Sequence, residues 1–388
     1  MSVFNGLSAK DFVSDADTTI GYSKNITKRS MARSKVKPFI ATSENDTTSV
    51  IKATRAVNTA NGNVISVTLE DELVESGATG NVTLDASSEE LKEIKQFIKV
   101  DRFQHTVPSN GSVVDQRSAD KFKSKANSAL TDWSTKKFDK VFFNVMSANC
   151  TNVVVCGHHG DADTTNLVKA DVLTTTDVEE AKNRALLGLD NEGEATQPPL
   201  VPIKTTQNEN LGYYEDVEYF VMFVGTNTAR NIKNDPNWAE ARKDALERGK
   251  SNPIFTGALG FWDGVLLLDV KTDTPRQSGV LTSGHKYAGF SNVKVSDLSI
   301  YKGGVADQET EINLLCGAGA CQIVVDKGVS YYDYPDKDDV RRMNASVDRV
   351  YGLAKTKYEA SANDGVLKDS IFDGKDYGVV AVVASTGK

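Results

Sequence analysis

Between residues 119 and 145, apolar side chains recur mostly at intervals of three and four: Ala119, Phe122, Ala126, Ala129 and Trp133, then Phe138, Val141, Phe142 and Val145. That spacing lines up one apolar stripe on a single α-helix. The pattern predicts a helix over residues 114–147, on the order of 50 Å long at 1.5 Å per residue. No heptad partner accompanies it, so a helix of this length reads as the spine of something flat and extended. Phe122, Trp133 and Val141 are expected on its core-facing side.

The segments before this helix hold little core of their own. Residues 59–92 read as a long, acidic β-hairpin: Val64, Ile65, Val67 and Leu69 make a strand, Leu73, Gly77 and Gly80 lead through the turn region, and Val82 and Leu84 return. A lone hairpin has two unpaired edges and little apolar area, so it is marginal in water and prone to adhere. Cover by another chain would resolve both problems. Residues 97–107 alternate as a strand that stops at Pro108, and His105 on it is expected to be structural or at an interface. Residues 1–58 are polar and weakly periodic, with Lys24, Lys28, Arg29, Arg33, Lys35 and Lys37 in a stretch that has no acid from 18 to 43. They read as an N-terminal arm: either a solvated tail, or a segment that orders on a neighbouring subunit or faces nucleic acid.

Composition narrows the function classes. With 45 Lys+Arg against 53 Asp+Glu the formal charge is −8, which argues against a body that wraps nucleic acid by neutralising phosphates. A 39% hydrophobic content over 388 residues is enough for a sizeable core in two or three domains. No run approaches the ~20 apolar residues that a spanning helix needs, and the first residues lack the regions of a secretory signal. A soluble chain made in a cytoplasm, with no membrane partner, is therefore expected. Cys150, Cys156, Cys316 and Cys321 are too sparse for a disulfide framework; free thiols are expected, with Cys316 and Cys321 buried and inert.

The catalytic inventory is thin. There are four His, and no nucleophile elbow, phosphate loop, dinucleotide fingerprint or zincin helix, so neither enzyme activity nor a cofactor is expected. One segment stands apart, because Cys150, Cys156, His158, His159, Asp161 and Asp163 are all metal-ligand types. Its spacing matches no standard zinc pattern, and adjacent histidines point in different directions. One reading is a helix end, a short apolar run and a polar turn. The other is a metal-assisted hydrolase using His158, His159, Asp161 and Asp163, and the spacing favours the first.

Further along, Thr176 with Glu179 three residues on suggests the capped start of a helix that ends near Leu187, before Gly188. The apolar run Tyr219, Phe220, Val221, Met222, Phe223 and Val224 reads as a strand buried on both faces, and a second domain is placed from about residue 201. Helices are expected over 226–233 and from Pro236, with a strand over 264–268. Residues 271–313 read as an inserted loop or small β element. Residues 314–325 return to core composition, and residues 347–357 and 376–383 are strand-like.

With these elements placed, a motif emerges: Asp235, Pro236 and Trp238, followed by Pro253, Phe255, Thr256 and Gly257 and then Asp263, Gly264 and Val265. Its order and spacing, with Leu73 to Gly80, His105, Gln116, Arg117, Asp132, Trp133, Gly317, Tyr351, Gly352 and Tyr377 in support, resembles the major capsid proteins of tailed bacteriophages with the Hong Kong 97 type fold, in the branch typified by the N-four phage. The likeness covers roughly residues 60–388. It implies an α+β capsid fold with an N-terminal arm (1–58), an extended β-hairpin loop (59–92), a peripheral domain (93–200) with the spine helix 114–147, an axial domain (201–348) with a possible insertion at 271–313, and a C-terminal return to the peripheral sheet (349–388). It also implies self-assembly into hexamers and pentamers of a virion capsid around double-stranded DNA. Scaffolding protein and portal are implied partners, with decoration proteins as further ones and packaged DNA held by weak nonspecific contact. The chain would be made in the bacterial host cytoplasm.

Shell subunits meet themselves through unlike surfaces that close into rings, which suits elements that reach outward and cannot stabilise themselves. The competing reading is a phage decoration or attachment protein, which has no need of a long spine helix. The metal-dependent hydrolase comes third.

Overall fold

The structure, a computed structural model, describes residues 16–41, 49–55, 64–70, 93–109, 119–160, 167–206, 216–240, 259–270, 276–278, 309–335, 342–358 and 372–387. In chain order these contain helix α1 (Ala16–Arg33), a 3-10 turn (Lys37–Phe39), strands β1 (Ile51–Arg55), β2 (Val64–Glu70), β3 (Glu93–Lys99) and β4 (Asp101–Pro108), and helix α2 (Ala119–Ser147). Then come β5 (Val153–Val155), α3 (Thr175–Leu187), β6 (Ile203–Thr206), β7 (Asp216–Val224), α4 (Thr226–Lys233), β8 (Gly260–Trp262), β9 (Val265–Asp269) and β10 (Arg276–Ser278). Four long strands complete the chain: β11 (Glu309–Cys316), β12 (Cys321–Pro335), β13 (Met343–Lys355) and β14 (Val379–Ser385).

Two sheets organise these elements. A four-stranded sheet has the order β1-β12-β13-β4, and an eight-stranded sheet follows β5-β14-β11-β7-β9-β8, with β10 added on β11 and β6 on β7. Every residue of β5 and β14 is buried, as expected of strands covered on both faces. One face of the eight-stranded sheet packs on α2 through Phe223, Val221, Leu314 and Ala381 against Phe142, Phe143, Val145 and Met146. Its other face carries Met222, Leu267, Leu315 and Val382 against Val178, Ala181 and Ala185 of α3 and Ala229 and Ile232 of α4.

The long helix serves both sheets. Its first half places Ala126 and Leu130, flanked by Phe122 and Trp133, against Tyr331, Ala345 and Val347 of the four-stranded sheet. Its second half, with Val141 fully buried, belongs to the core beneath the eight-stranded sheet. The five residues 114–118 of the sequence-predicted span lie outside the described residues.

The N-terminal segment differs from expectation. Residues 16–41 and 49–55 are built into the subunit instead of forming a separate arm. Ile26 of α1 is fully buried beside Leu130 and Tyr331, and the Tyr22 ring lies 5.2 Å from that of Tyr331. Ser23 Oγ accepts the Tyr331 N–H at 2.8 Å, and the Ser30 carbonyl accepts the Thr135 hydroxyl at 3.2 Å. Past the helix, Asp139 of α2 accepts the Ser34 hydroxyl at 2.5 Å and the Lys35 N–H at 3.4 Å. Strand β1 then runs parallel to β12, Ile51 opposite Cys321. Hydrogen bonds from Ser, Thr and Asp do much of this docking, so the segment shows no apolar stripe.

Three further features stand out. The first is sheet membership, which does not follow chain order. The C-terminal strand β14 lies between β11 and β5 in the same sheet as β7, whereas β12 and β13 pair with each other and, through β13, with β4. The chain crosses between sheets at the tight turn 317–320, where composition stays uniformly apolar. The second is the single strand over 97–107, which divides at Val100: β3 pairs with β2 and β4 with β13. The third is the cap of α3, which is Thr174 with Asp177 in place of Thr176 with Glu179. Thr174 donates its N–H at 2.8 Å and its hydroxyl at 2.6 Å to the Asp177 carboxylate. Both pairs have the same spacing; Asp177 wins because it is buried and also bonds His159.

Candidate assembly surfaces

Strand β2 pairs antiparallel with β3, Val64 opposite Lys99 and Glu70 opposite Glu93, as a two-stranded ribbon. The partner of Val64, Val67 and Leu69 is therefore the 93–99 run; Leu73, Gly77, Gly80, Val82 and Leu84 lie outside the described residues. The ribbon is fixed at its base. Gln96, Ile98 and Val100 are buried, and Gln96 Nε2 donates to the Lys355 carbonyl at 2.7 Å. Between them Phe97 is 62% exposed, the most exposed large apolar side chain among the described residues.

Gly352 on β13 makes that base possible. A Cβ there would stand 2.9 Å from Ile98 Cγ2 and 2.9 Å from the Lys99 carbonyl oxygen. Overpacking of this kind costs about 1–3 kcal/mol. Gly352→Ala is therefore expected to loosen the ribbon, raising amide hydrogen exchange at residues 96–99 more than elsewhere. Uniform exchange with parental stability would mean that the ribbon is not docked here.

The four-stranded sheet has one face covered by helices, and the other is covered in part by β3, whose Ile98 and Val100 pack on Val324. On β12, Tyr331 and Asp333 point to the helices, Asp333 pairing with Lys123 at 3.2 Å, while Tyr332 and Tyr334 are exposed. On β4, Phe103 stacks on Tyr351 and His105 stacks on Trp133 with ring centroids 4.8 Å apart, while Arg102, Gln104 and Thr106 face outward. Arg102 is held by a two-pronged pair with Asp348, at 2.7 and 2.8 Å. Strand β4 ends the sheet and leaves one hydrogen-bonding edge without a strand partner among the described residues. On the eight-stranded sheet Phe261 is exposed on the last strand, β8, and Leu186 and Leu187 are exposed on α3.

The basic residues of the expected arm are distributed over the subunit. Lys24, Lys28 and Arg29 are exposed on α1 and Lys37 is exposed beyond it; Lys35 donates its ammonium to the Val270 carbonyl. The side chain of Arg33 is outside the described residues.

The motif around Asp235 is structural at close range. Asp235 Oδ2 accepts the Thr175 N–H at 2.8 Å and its hydroxyl at 2.9 Å, so the second residue after α4 holds the first turn of α3. Pro236 begins a short helical turn, Trp238 is buried 6.0 Å from Trp262, and the Trp262 indole donates to Glu179 at 3.0 Å. Pro253, Phe255, Thr256 and Gly257 lie outside the described residues. The sequence reading missed Glu311 on β11, a fully buried carboxylate that accepts the N–H groups of Asn227 at 3.2 Å and Thr228 at 3.0 Å and so caps α4. No sequence spacing links residues 227 and 311.

The segment of possible metal ligands is used for hydrogen bonding. His158 Nε2 lies 3.2 Å from Asp171 Oδ2 and His159 Nε2 lies 2.7 Å from Asp177 Oδ1. Arg184, almost wholly buried, bonds the His159 and Val153 carbonyls and pairs with Glu180 at 2.8 Å. Asp161 and Asp163 lie outside the described residues, and among those described no three or more His, Cys, Asp or Glu side chains are grouped to hold a metal ion. All four cysteines are buried and free, and burial pushes the Cys156 and Cys316 thiols well up, away from the reactive thiolate. Among the described residues no helix is long and apolar enough to cross a membrane.

A family model described as phage capsid protein matches residues 13–170 and 151–386. The chain is 22% identical over 334 residues to the major structural protein ORF14 of Helicobacter pylori bacteriophage KHP30, covering 81% of this chain and 83% of that protein. It is 22% identical over 331 residues to the major capsid protein of Pseudomonas phage KPP25, covering 78% and 80%. Among solved structures, the acidic stable capsid structure of Helicobacter pylori bacteriophage KHP30 superposes with a TM-score of 0.69 at 20% identity, over 91% of this chain and 92% of that one.

Proposed function

The chain belongs to the phage capsid protein family and has the Hong Kong 97 type fold, and from that premise we propose that it is the major capsid protein that closes into the icosahedral head shell around the DNA genome of a tailed phage. The observation that carries this reading is the ribbon of β2 and β3. It is anchored at one end by Ile98 and Gly352, and it presents Phe97 and strand edges to be covered by something outside the chain. The exposed Tyr332 and Tyr334 and the exposed Phe261, Leu186 and Leu187 supply further, unlike surfaces, as closed rings of identical subunits require. Hexamers and pentamers are the rings this reading assigns.

The subunit's job is mechanical. Helix α2 lies against both sheets, so a load on one is passed to the other through a close-packed core. With residues 16–41 docked on the subunit's own core, a separate scaffolding protein is the expected guide to curvature, and a portal the expected occupant of one vertex. Decoration proteins are further candidates for the outer surface. Contact with packaged DNA falls to the exposed Lys24, Lys28 and Arg29, weakly and without sequence preference, against a net charge of −8. The site of action is the virion, after synthesis in the host cytoplasm, and no catalytic step is assigned.

Electron microscopy of the chain co-expressed with its genomic neighbours tests the reading. Closed shells are expected. Only small discrete oligomers under every condition would point instead to a decoration or attachment protein.

A further inference from the structure

Charge is unevenly placed along this chain. Residues 16–41 and 119–147, which contain α1, the 3-10 turn and α2, hold 12 Lys and Arg against four Asp. The rest of the chain holds 33 Lys and Arg against 49 Asp and Glu, so these two spans carry +8 and everything else −16. The two helices lie side by side and run in the same direction, because the Ser30 carbonyl meets Thr135 and Ser34 meets Asp139. Their cations turn outward. On α2, Lys121, Lys125, Lys136 and Lys140 are exposed, at steps of four, eleven and four residues, each close to whole helical turns. They form one row about 28 Å long at 1.5 Å per residue. Lys24, Lys28 and Arg29 make a second exposed row on α1. Of the acids in these spans, Asp139 is buried under Ser34, and Asp132 is the one that is exposed among the described side chains.

Helix stability does not account for these rows. Opposite charges four residues apart support a helix, as Glu180 and Arg184 do on α3. Lys24 with Lys28, Lys121 with Lys125 and Lys136 with Lys140 instead place like charges at that spacing, which disfavours it; Asp132 with Lys136 is the one opposite pair on the two rows. A polyanion lying along both rows removes the repulsion. Duplex DNA fits this surface better than an acidic protein does. Protein interfaces centre on aromatic or aliphatic anchors, whereas here Ile20, near the start of α1, is the only exposed large apolar side chain among the described residues of the two helices. Between the lysines of α2 stand the small, exposed Ser124, Ser128 and Ala129. Phosphate oxygens accept from ammonium, guanidinium and hydroxyl groups alike and require no apolar pocket. The α2 row is as long as about eight base pairs along one strand.

We propose that the exposed sides of α1 and α2 together form a track for the phosphate backbone of duplex DNA, independent of base sequence. The inference deepens the shell-forming role above and rests on it: the long helix that joins the two sheets also carries the main genome contact. The acidic remainder of the subunit repels DNA, which confines the contact to this side.

Binding of the full-length chain to a mixed-sequence DNA duplex, followed by fluorescence anisotropy over a series of salt concentrations, tests this. Three variants are compared with the parent: K121Q/K125Q/K136Q/K140Q on α2, K24Q/K28Q/R29Q on α1, and a control, K99Q/K169Q/K204Q/K233Q, that removes four exposed lysines elsewhere. Gln has nearly the helix propensity of Lys, so the helices are expected to persist. The α2 variant is expected to weaken binding about tenfold or more and to reduce the slope of log affinity against log salt by about three to four, since each lost phosphate contact releases one fewer ion. The α1 variant should move both quantities the same way, and the control should move neither. Equal losses in the control and the α2 variant would overturn the proposal, because net charge alone would then be acting. Tighter binding of polyglutamate than of the duplex would overturn it too, reassigning the face to an acidic protein, and so would a parental chain that ignores the duplex even at low salt. Should the α2 variant not fold, the α1 variant against the control carries the same comparison. Shell formation is scored separately by electron microscopy. A chain that binds the duplex through these rows but forms no shell would remove the shell-forming role and leave the surface, whereas shells from a chain whose rows are indifferent to DNA would remove the surface alone.

Discussion

Replacing Asp376 with alanine is expected to destabilise the subunit by about 3–5 kcal/mol, because it strands the ammonium of Lys355 in the core. The two groups meet at 2.8 Å with side chains only 4% and 1% exposed. Lys355 also donates to the Ala148 carbonyl at 2.6 Å, just beyond the end of α2, and its Nζ lies 3.6 Å from Cys150 Sγ. Asp376 in turn accepts the Thr151 N–H at 2.9 Å and donates its own N–H to the Thr151 hydroxyl at 3.0 Å. The pair therefore joins the end of the long helix, strand β13 of one sheet and the turn that leads into β14 of the other. Chemical denaturation of Asp376→Ala, Lys355→Met and the double variant measures it. The double variant is expected to recover much of the loss, since no charge is then left unpaired; equal losses in all three would mean that packing and not charge is at stake.

The same pair gives a pH dependence. Burial by itself lowers the pKa of Lys355, but the neighbouring Cys150 and the Asp376 carboxylate outweigh it and the value is raised above the ordinary 10.5. A folded-state pKa above the unfolded one means the contribution is fully present below about pH 10.5 and declines as pH rises through the raised value. Alkaline unfolding of the parent is therefore expected to steepen above that pH, and the double variant should lose this component.

The second large effect is expected at Phe223. Its ring meets those of Phe142 at 5.8 Å, Phe143 at 5.5 Å and Phe39 at 5.6 Å, all edge-on. Three separate pieces of chain, the 3-10 turn, α2 and β7, thus share one fully buried side chain. Phe223→Ala removes the ring from a place where neighbours anchored in a helix and a sheet cannot collapse inward, and a loss of about 3–5 kcal/mol follows. Phe223→Leu, which keeps most of the volume, is expected to cost far less. Thermal melts of the two variants distinguish a packing role from a general intolerance at this position. Because this cluster is where the eight-stranded sheet rests on the long helix, the alanine variant is also expected to assemble poorly even at temperatures where it remains folded.

What was legible in the sequence had local periodicity behind it. The stripe from Phe122 to Val145 announced α2, because a helix repeats its face every three to four residues and leaves that mark whatever it packs against. The apolar runs at 219–224 and 376–383 announced strands, because a strand covered on both faces is apolar throughout, and the helix near 175–187 was bounded at its end by Gly188, although its capping pair was misread. Helix α1 was not legible, since Ser23, Ser30 and Ser34 dock it through hydrogen bonds that leave no hydrophobic pattern. Nor was the ribbon's pairing: Val64 to Glu70 had to choose between a partner close in sequence and one beyond residue 92, and that choice is made by the place where β3 rests on Gly352.

Neighbouring residues sufficed for the long helix, the buried apolar strands and the family resemblance, because periodicity and motif order are local properties of a chain. Only the folded arrangement settles which strands share a sheet, that β14 returns beside β11, and that Lys355 meets Asp376. Those outcomes depend on side chains far apart along the chain arriving at one point, and the desolvation that makes such meetings costly or favourable exists only once the core has closed.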